Sequence, residues 1–337
     1  MCHKERAGSG LWVFFWVLAG AFVWILAGML VLGLWGCVND PGEDVSKKEA
    51  TLVFLDVGQG LAVLLEQEGR YALFDAGPDS AGVVDSLVAR GVDTLEWVVV
   101  SHNHRDHFGG LLEVFSSGVH IRRLIVGPDT SGGFLRDSVL RAARRLKIPV
   151  DTLGRGGRLA LGSELRFECL WPPEYMAVGE NHASIVLRAE TSDGAGGVPR
   201  AESSGNVPQV VSSGGIPRIV SSGSRGLVLL TGDLDSAGEN RLLEMNVDLS
   251  ADLLQVGHHG SAGSSSLRFL NGVSPRQAVI SVGAGNSYGH PAESVMRKLQ
   301  YVLGDPADST RSSSVLRTDL DGSVTFKIIP GVGVVQE

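Results

Sequence analysis

The hydrophobic positions of this 337-residue chain fall into two regimes. From Leu11 to Val38 the run LWVFFWVLAGAFVWILAGMLVLGLWGCV carries no charged residue. It exceeds the roughly 20 apolar residues that a helix needs to cross a bilayer. Trp12, Trp16, Trp24 and Trp35 suit a membrane helix with interfacial aromatics. The pattern predicts a short cytoplasmic tail over 1–10, a transmembrane anchor over 11–38 and a polar linker over 39–50. Lys4 and Arg6 precede the run, and Asn39, Asp40, Glu43 and Asp44 follow it. The positive-inside bias then places a single-pass chain in the cell membrane with its folded domain on the extracytoplasmic side. A lipoprotein signal ending at Cys37 and a cleaved secretory signal are the alternative readings.

From residue 51 the pattern changes to short apolar runs broken by Gly and Asp. Strand-like segments cover 51–57, 61–66 and 70–75. LEWVVVS, 95–101, is nearly all apolar and stops at a His-rich loop, as a strand buried on both faces would. VDSLVARGV and FGGLLEVFSSG on either side have helical spacing, and FLRDSVLRAARRLKIPV predicts an amphipathic helix ending near Pro149. Strands alternating with helices, with antiparallel turns among them, predict a layered α/β domain over 51–337. Residues 191–225 depart from this. They hold three nine-residue units, GVPRAESSG, NVPQVVSSG and GIPRIVSSG, too short and too rich in Gly and Ser to bury a core, and predict a flexible insertion between two strands.

Composition narrows the picture in two ways. Net charge is −8, which argues against a general polyanion binder, so any nucleic-acid contact must be local. Arg141, Arg144, Arg145 and Lys147 form a basic helix face whose simplest reading is a solvated surface. Cys2, Cys37 and Cys169 are too few and too scattered for a disulfide framework or a CxxC zinc site. Cys169, in RFECLW, reads as a buried thiol.

Four stretches carry candidate chemistry. SHNHRDHFGG, 101–110, places His102, His104, Asp106 and His107 at the end of a buried strand. Neutral imidazoles and a carboxylate are divalent-metal donors. His102 and His104 can hold one ion and Asp106 and His107 a second, while Gly109 and Gly110 let the backbone pass close by. In GLVLLTGDLD, 226–235, Asp233 ends a strand and can bridge both ions with one carboxylate. DLLQVGHHGSAGSSS brings His258 and His259 to a third strand end, one as a ligand and the other as a supporting or substrate contact. AVISVGAGNSYGHP ends at His290, a candidate acid or leaving-group contact. His120 fits no pattern and reads as a surface residue.

His-x-His-x-Asp-His, a later TGD and a final strand-end His resemble the metallo-β-lactamase superfamily of binuclear metal hydrolases. LDVGQGLAVLLE, DAGP, SHNHRDHFGG, ENHASIVLR, LLTGDLD, LLQVGHHGS and ISVGAGNSYGHP, in that order, look like the C-terminal hydrolase domain of ComEC-like DNA-uptake proteins over about residues 51–330. The resemblance implies an αββα sandwich. It implies His102, His104, Asp106, His107, Asp233 and His258 as metal ligands, and Asp56 and Gln59 as supports. It also places Asn181 and Ser184 near the metals, with Ser261 of HHGS as a substrate contact; His182 stays open as a further ligand. Three features depart from that pattern: His104 stands where such domains often have Asp, Ala262 and Gly263 follow HHGS where a Lys is common, and one hydrophobic segment replaces a multi-helix channel.

The implied cofactors are two divalent ions, Zn²⁺ for a His-rich site with Mn²⁺ as the alternative. Asp106, His259 and His290 are the candidate catalytic side chains, Asp106 orienting the attacking water and His259 or His290 protonating the leaving group. The first functional reading is a phosphodiesterase or nuclease acting on DNA, tethered to the membrane and working beside a separate channel protein. The second is a hydrolase of a small or surface-linked ester, such as a phosphorylcholine ester or a lactone. The third is a metal-binding module without catalysis.

Overall fold

The computed structural model describes residues 49–128, 133–173, 181–191, 226–304, 314–330 and 332–337. The expected tail, anchor and most of the linker, and residues 192–225 of the insertion, lie outside the described residues. Among the described residues no helix is long and apolar enough to cross a membrane.

Two sheets make up the unit Lys47–Glu337. The first has nine strands: β1 Ala50–Phe54, β2 Val63–Gln67, β3 Arg70–Phe74, β4 Thr94–Val100, β5 His120–Ile121, β6 Leu124–Val126 and β7 Val150–Thr152, joined late in the chain by β15 Val324–Ile329 and β16 Gly333–Gln336. Their order is β16-β15-β1-β2-β3-β4-β6-β7, with β5 paired to β4. The second sheet takes the strands between them: β8 Arg158–Leu161, β9 Leu165–Trp171, β10 Val186–Thr191, β11 Gly226–Leu230, β12 Ala251–Gln255, β13 Gln277–Ile280 and β14 Ser314–Arg317, in the order β14 to β8.

The continuous apolar runs of the sequence are explained by burial on both faces. In β1, Leu52 and Phe54 enter the core between the sheets, while Val53 and the following Leu55 face an outer helical layer. The inter-sheet core joins these to Trp97, Phe167, Leu187, Val228, Leu253 and Val279. Helices α1 Val83–Ala89, α3 Leu111–Ser116 and α4 Phe134–Arg145 cover the first sheet through Leu87, Leu111 and Val139. The short α2, Arg105–Phe108, lies inside the His-rich loop. Helices α5 Ser236–Glu244, α6 Leu267–Val273 and α7 Glu293–Leu303 cover the second sheet through Leu242, Leu270 and Leu299. A last turn, α8 Thr318–Asp321, follows β14. The order of layers is therefore helix, sheet, sheet, helix, as the resemblance implied. Removing the fully buried Phe54 ring would cost about 3–5 kcal/mol.

Polar ties cross between the sheets as well. The Trp97 indole donates to the Ala160 carbonyl at 3.0 Å. The buried Gln67 side-chain oxygen accepts from the Glu164 and Leu165 amides at 3.1 and 2.8 Å. Helix α4 stops at Arg145, short of Pro149, because Lys147 turns into left-handed backbone at φ 59°. Arg141, Arg144 and Arg145 on the helix and Lys147 just beyond it are all exposed. Strands β10 and β11, which bracket residues 192–225, pair antiparallel with Leu187 opposite Leu230 and Ala189 opposite Val228.

Strands β1, β3 and β4 run one way in the first sheet, and β11, β12 and β13 are parallel in the second. The loops that leave their C-terminal ends carry Gln59, Asp75, His102–His107, Asp233, His258–His259 and His290, and the turn before β10 carries Asn181 and Ser184.

Candidate metal centre

Two overlapping groups of donors meet at these loop ends. Asp106, His107, Asp233 and His259 offer ligand atoms that all lie within 4.8 Å of one another, and so do His102, His104 and Asp233. Asp233 belongs to both. His107 Nε2 is 3.1 Å from Asp233 Oδ1 and His259 Nε2 is 3.3 Å from Asp106 Oδ2. His102 Nε2 stands 3.9 Å from Asp233 Oδ2.

The local backbone dictates this convergence. β4 delivers Ser101 and His102 directly, and Gly110 lets the returning chain pass against the DAGP turn: a Cβ there would come within 2.2 Å of the Ala76 carbonyl. The TGD turn needs Gly232 in left-handed backbone (φ 54°), where a Cβ would meet that of Ser101 at 2.7 Å. His258 and His259 are both left-handed, at φ 52° and 54°. Two adjacent non-glycine residues in that region carry strain, which collects at functional sites.

The inner wall of the site rests on Asp75, a fully buried residue that the sequence patterns did not single out. Its Oδ1 accepts the Ser101 amide at 2.6 Å, and its Oδ2 accepts the Ser101 hydroxyl at 2.7 Å and His107 Nδ1 at 2.7 Å. Ser101 Oγ also meets His102 Nδ1 at 3.1 Å. On the opposite wall, His259 Nδ1 donates to the Ser281 carbonyl at 2.8 Å. Each imidazole is thus held through Nδ1, which leaves Nε2 facing the centre. Partners of this kind fix the tautomer and ring orientation of metal-ligating histidines.

Those inward atoms lack hydrogen-bond partners. His102 Nε2, His107 Nε2, His259 Nε2 and Asp233 Oδ1 are all buried and unsatisfied. A buried polar atom left so costs about 1–3 kcal/mol, and four of them pointing at one place is the arrangement a cation requires. The donor set fits two divalent ions. Burial and the neighbouring His107 hold the His102 imidazole well below its usual range, so it stays neutral. Burial opposes charge on His107 and His259 too, but there the carboxylates of Asp233, Asp75 and Asp106 outweigh it and raise both. Burial likewise acts against charge on Asp106, yet the His259 ring 3.3 Å away and the His107 charge bring it down to about 2. Asp233 is held well below the usual carboxylate range by His107 and His259, despite its burial.

The remaining expected residues take distinct places. His258 lies outside both groups: it is half-buried, its Nε2 is 3.8 Å from Asp233, and the Asn181 amide nitrogen stands 3.1 Å from it. His259, expected as the alternative, sits inside, and being 3% exposed it has no open side from which to reach a leaving group. His290 packs against His258 with ring centres 5.8 Å apart, and burial and the nearby His258 lower its pKa. Ser184 is buried and accepts the Asp233 amide at 3.2 Å. Gln59 accepts the Gly283 amide at 3.1 Å, linking the first loop of one sheet to the β13 loop of the other. Asp56 is exposed and caps a local turn through the Gly58 amide at 3.2 Å, and Ser261 accepts the Gly263 amide at 3.3 Å in its own turn. His182 is not in either group; it lies 4.0 Å from Asp235. His120 is exposed on β5.

One further support was missed: the buried Gln255 accepts the Thr231 amide at 2.7 Å and donates to the Gly232 and Val256 carbonyls at 3.1 and 2.7 Å, which fixes the turn that carries Asp233. The signal available was only a glutamine within an apolar strand run, LLQV.

Residues 55–168 match the family described as the metallo-beta-lactamase superfamily. The chain is 32% identical over 302 residues to Competence protein ComA of Neisseria gonorrhoeae, covering 88% of this chain and 35% of that protein. It is 28% identical over 326 residues to ComE operon protein 3 of Bacillus subtilis (strain 168), covering 90% of this chain and 35% of that one. The chain therefore spans about a third of the length of these relatives. Among solved structures, the metallo-beta-lactamase fold protein YhfI from Bacillus subtilis aligns at a TM-score of 0.46 and 15% identity, covering 83% of this chain and 100% of that chain. The chain resembles metallo-beta-lactamase superfamily proteins and, within them, the competence proteins, as its motifs indicated.

Proposed function

We propose that this metallo-beta-lactamase-type domain is a binuclear metal-dependent phosphodiesterase acting on DNA, held at a membrane by its N-terminal apolar segment. The observation that carries the reading is the set of buried, unpartnered Nε2 atoms converging on a carboxylate shared by two donor groups. His102, His104 and Asp233 would hold one ion, and Asp106, His107, Asp233 and His259 the other. When bound, such a pair lowers the pKa of a water and offsets charge growing on phosphoryl oxygens.

The protein's own groups do the rest. Asp233, fixed by Ser184 and by the turn that Gln255 braces, cannot swing away from the centre. Asp106 stays ionised at neutral pH and is partly open to solvent, so it can accept a hydrogen bond from the attacking water and orient it. His290 is neutral near pH 7 because its pKa is lowered, and it offers a ring N–H to the leaving oxygen from the open side. Relatedness to competence proteins supports DNA as the substrate, with a separate channel protein as partner.

The test uses the full chain in detergent, stripped of metal and reloaded with Zn²⁺ or Mn²⁺. About two ions per chain should bind, and single-stranded DNA, double-stranded DNA or bis-p-nitrophenyl phosphate should be hydrolysed. Asp106→Ala and Asp233→Ala should each abolish turnover. A chain that retains no metal after reloading overturns the metal centre. Cleavage of lactones or phosphorylcholine esters with no phosphodiester turnover overturns the substrate.

A further inference from the structure

The loop after β13 presents an aromatic ring beside the candidate centre. Tyr288 is 70% exposed. A single exposed aromatic needs no explanation, but three observations distinguish this one. Its ring is stacked on His290, with centres 5.7 Å apart and planes at 19°. His290 in turn meets His258, whose Nε2 is 3.8 Å from Asp233, so a continuous run of rings leads from solvent to the shared carboxylate.

The loop is also braced from within. The Asn286 amide nitrogen donates to the Gly283 and His290 carbonyls at 3.0 and 2.7 Å. Its oxygen accepts the Tyr288 and His290 amides at 3.2 and 3.0 Å. One side chain thus satisfies four backbone groups of the eight-residue stretch Gly283–His290. That is far more order than a tether needs, and its product is an open ring face held at a fixed place.

We infer that Tyr288, backed by His290, is a stacking platform for a nucleobase next to the scissile phosphodiester, which makes single-stranded nucleic acid the substrate class. The inference rests on the phosphodiesterase reading above and narrows it. A base inside a duplex already has both faces covered, whereas an unpaired base has a face free to stack, and every base offers one, so the platform confers strand preference without sequence preference. It also suits a chain of net charge −8, because stacking on a base does not depend on opposite charge.

The full chain, reloaded with metal, would be given a single-stranded oligonucleotide and the same oligonucleotide with tetrahydrofuran abasic sites flanking the cleaved bond. The native chain should show a KM about 5- to 100-fold lower for the base-bearing substrate, the range expected of one base–aromatic stack. Tyr288→Ala should lose that discrimination, and Tyr288→Phe and Tyr288→Trp should keep it. In parallel, 2-aminopurine placed beside the cleaved bond should be quenched on binding to the native chain and not to Tyr288→Ala, a readout that needs no turnover. A native chain that treats the two oligonucleotides alike, a Tyr288→Ala variant that still discriminates, or tighter binding of duplex than of single strand overturns the platform while leaving phosphodiester hydrolysis intact. Absence of phosphodiester cleavage combined with Tyr288-dependent quenching overturns the hydrolase reading and keeps the base site.

Discussion

His107 and His258 both stand within 4 Å of Asp233, yet they are held in opposite ways. His107 is fully buried, anchored through Nδ1 to a buried carboxylate that is itself anchored to Ser101. His258 is half-open, faces the Asn181 amide nitrogen at 3.1 Å, and occupies strained left-handed backbone. The contrast runs through the whole site. Its walls, Asp75, Ser101, His102 and His107 on one side and His259 on the other, are dry, with each ring held through Nδ1. Its rim, His104, His258, His290 and Tyr288, is wet or half-wet, and the last three are joined by ring contacts. A wall of that kind holds ligands in one geometry; a rim of that kind can admit and release something larger.

Four experiments test this contrast. The largest effect is expected at the foot of the wall. Asp75→Ala strands His107 Nδ1 and the Ser101 donors in a dry interior, and should cost about 3–5 kcal/mol in denaturant unfolding. Asp75→Asn keeps the shape but not the charge, and should lower metal affinity by about 10- to 100-fold in competition with a chelator. If both variants match the native chain, the wall is not what holds the ligands.

The next effect is smaller. Gly232→Ala forces a Cβ toward Ser101 at φ 54°, and about 1–3 kcal/mol of stability should be lost. On the rim the sign reverses: His258→Gly relieves a strained residue, so stability should rise by up to about 1 kcal/mol while metal content stays at the native level. Loss of metal in that variant would move His258 into the wall. The smallest effect lies away from both. Burial pushes the Cys169 thiol up to about 12, and its hydrogen faces the Trp171 carbonyl. A raised thiol pKa means less thiolate at every pH below it, so iodoacetamide at pH 8 should leave Cys169 unmodified in the native chain and label it only after unfolding.

The sequence revealed those parts of the site whose chemistry is local. SHNHRDHFGG places its donors within six positions of one strand end, and a continuous apolar run before it announces a doubly buried strand. Asp75 escaped notice because its role is spread across 26 and 32 residues of separation, to Ser101 and His107, and a DAGP tetrapeptide reads as a turn. Gln255 escaped for the same reason: a polar residue in a buried strand shows its purpose only when the neighbouring turn is beside it. The choice between His258 and His259 could not be read from spacing, because strand and helix periodicities do not apply to two consecutive left-handed residues. The layered α/β fold was legible in the alternating patterns, whereas the apolar segment at 11–38 lies outside the described residues.

The pairing of β10 with β11 has a consequence for how this chain tolerates change. β10 runs away from the metal-site end of its sheet and β11 runs back to it, so residues 192–225 leave and return at the far end, between strand termini already side by side. Chain length can therefore grow or shrink there without any donor shifting its position. The same hairpin end is a natural socket for grafting an affinity tag or a fluorescent reporter onto the molecule.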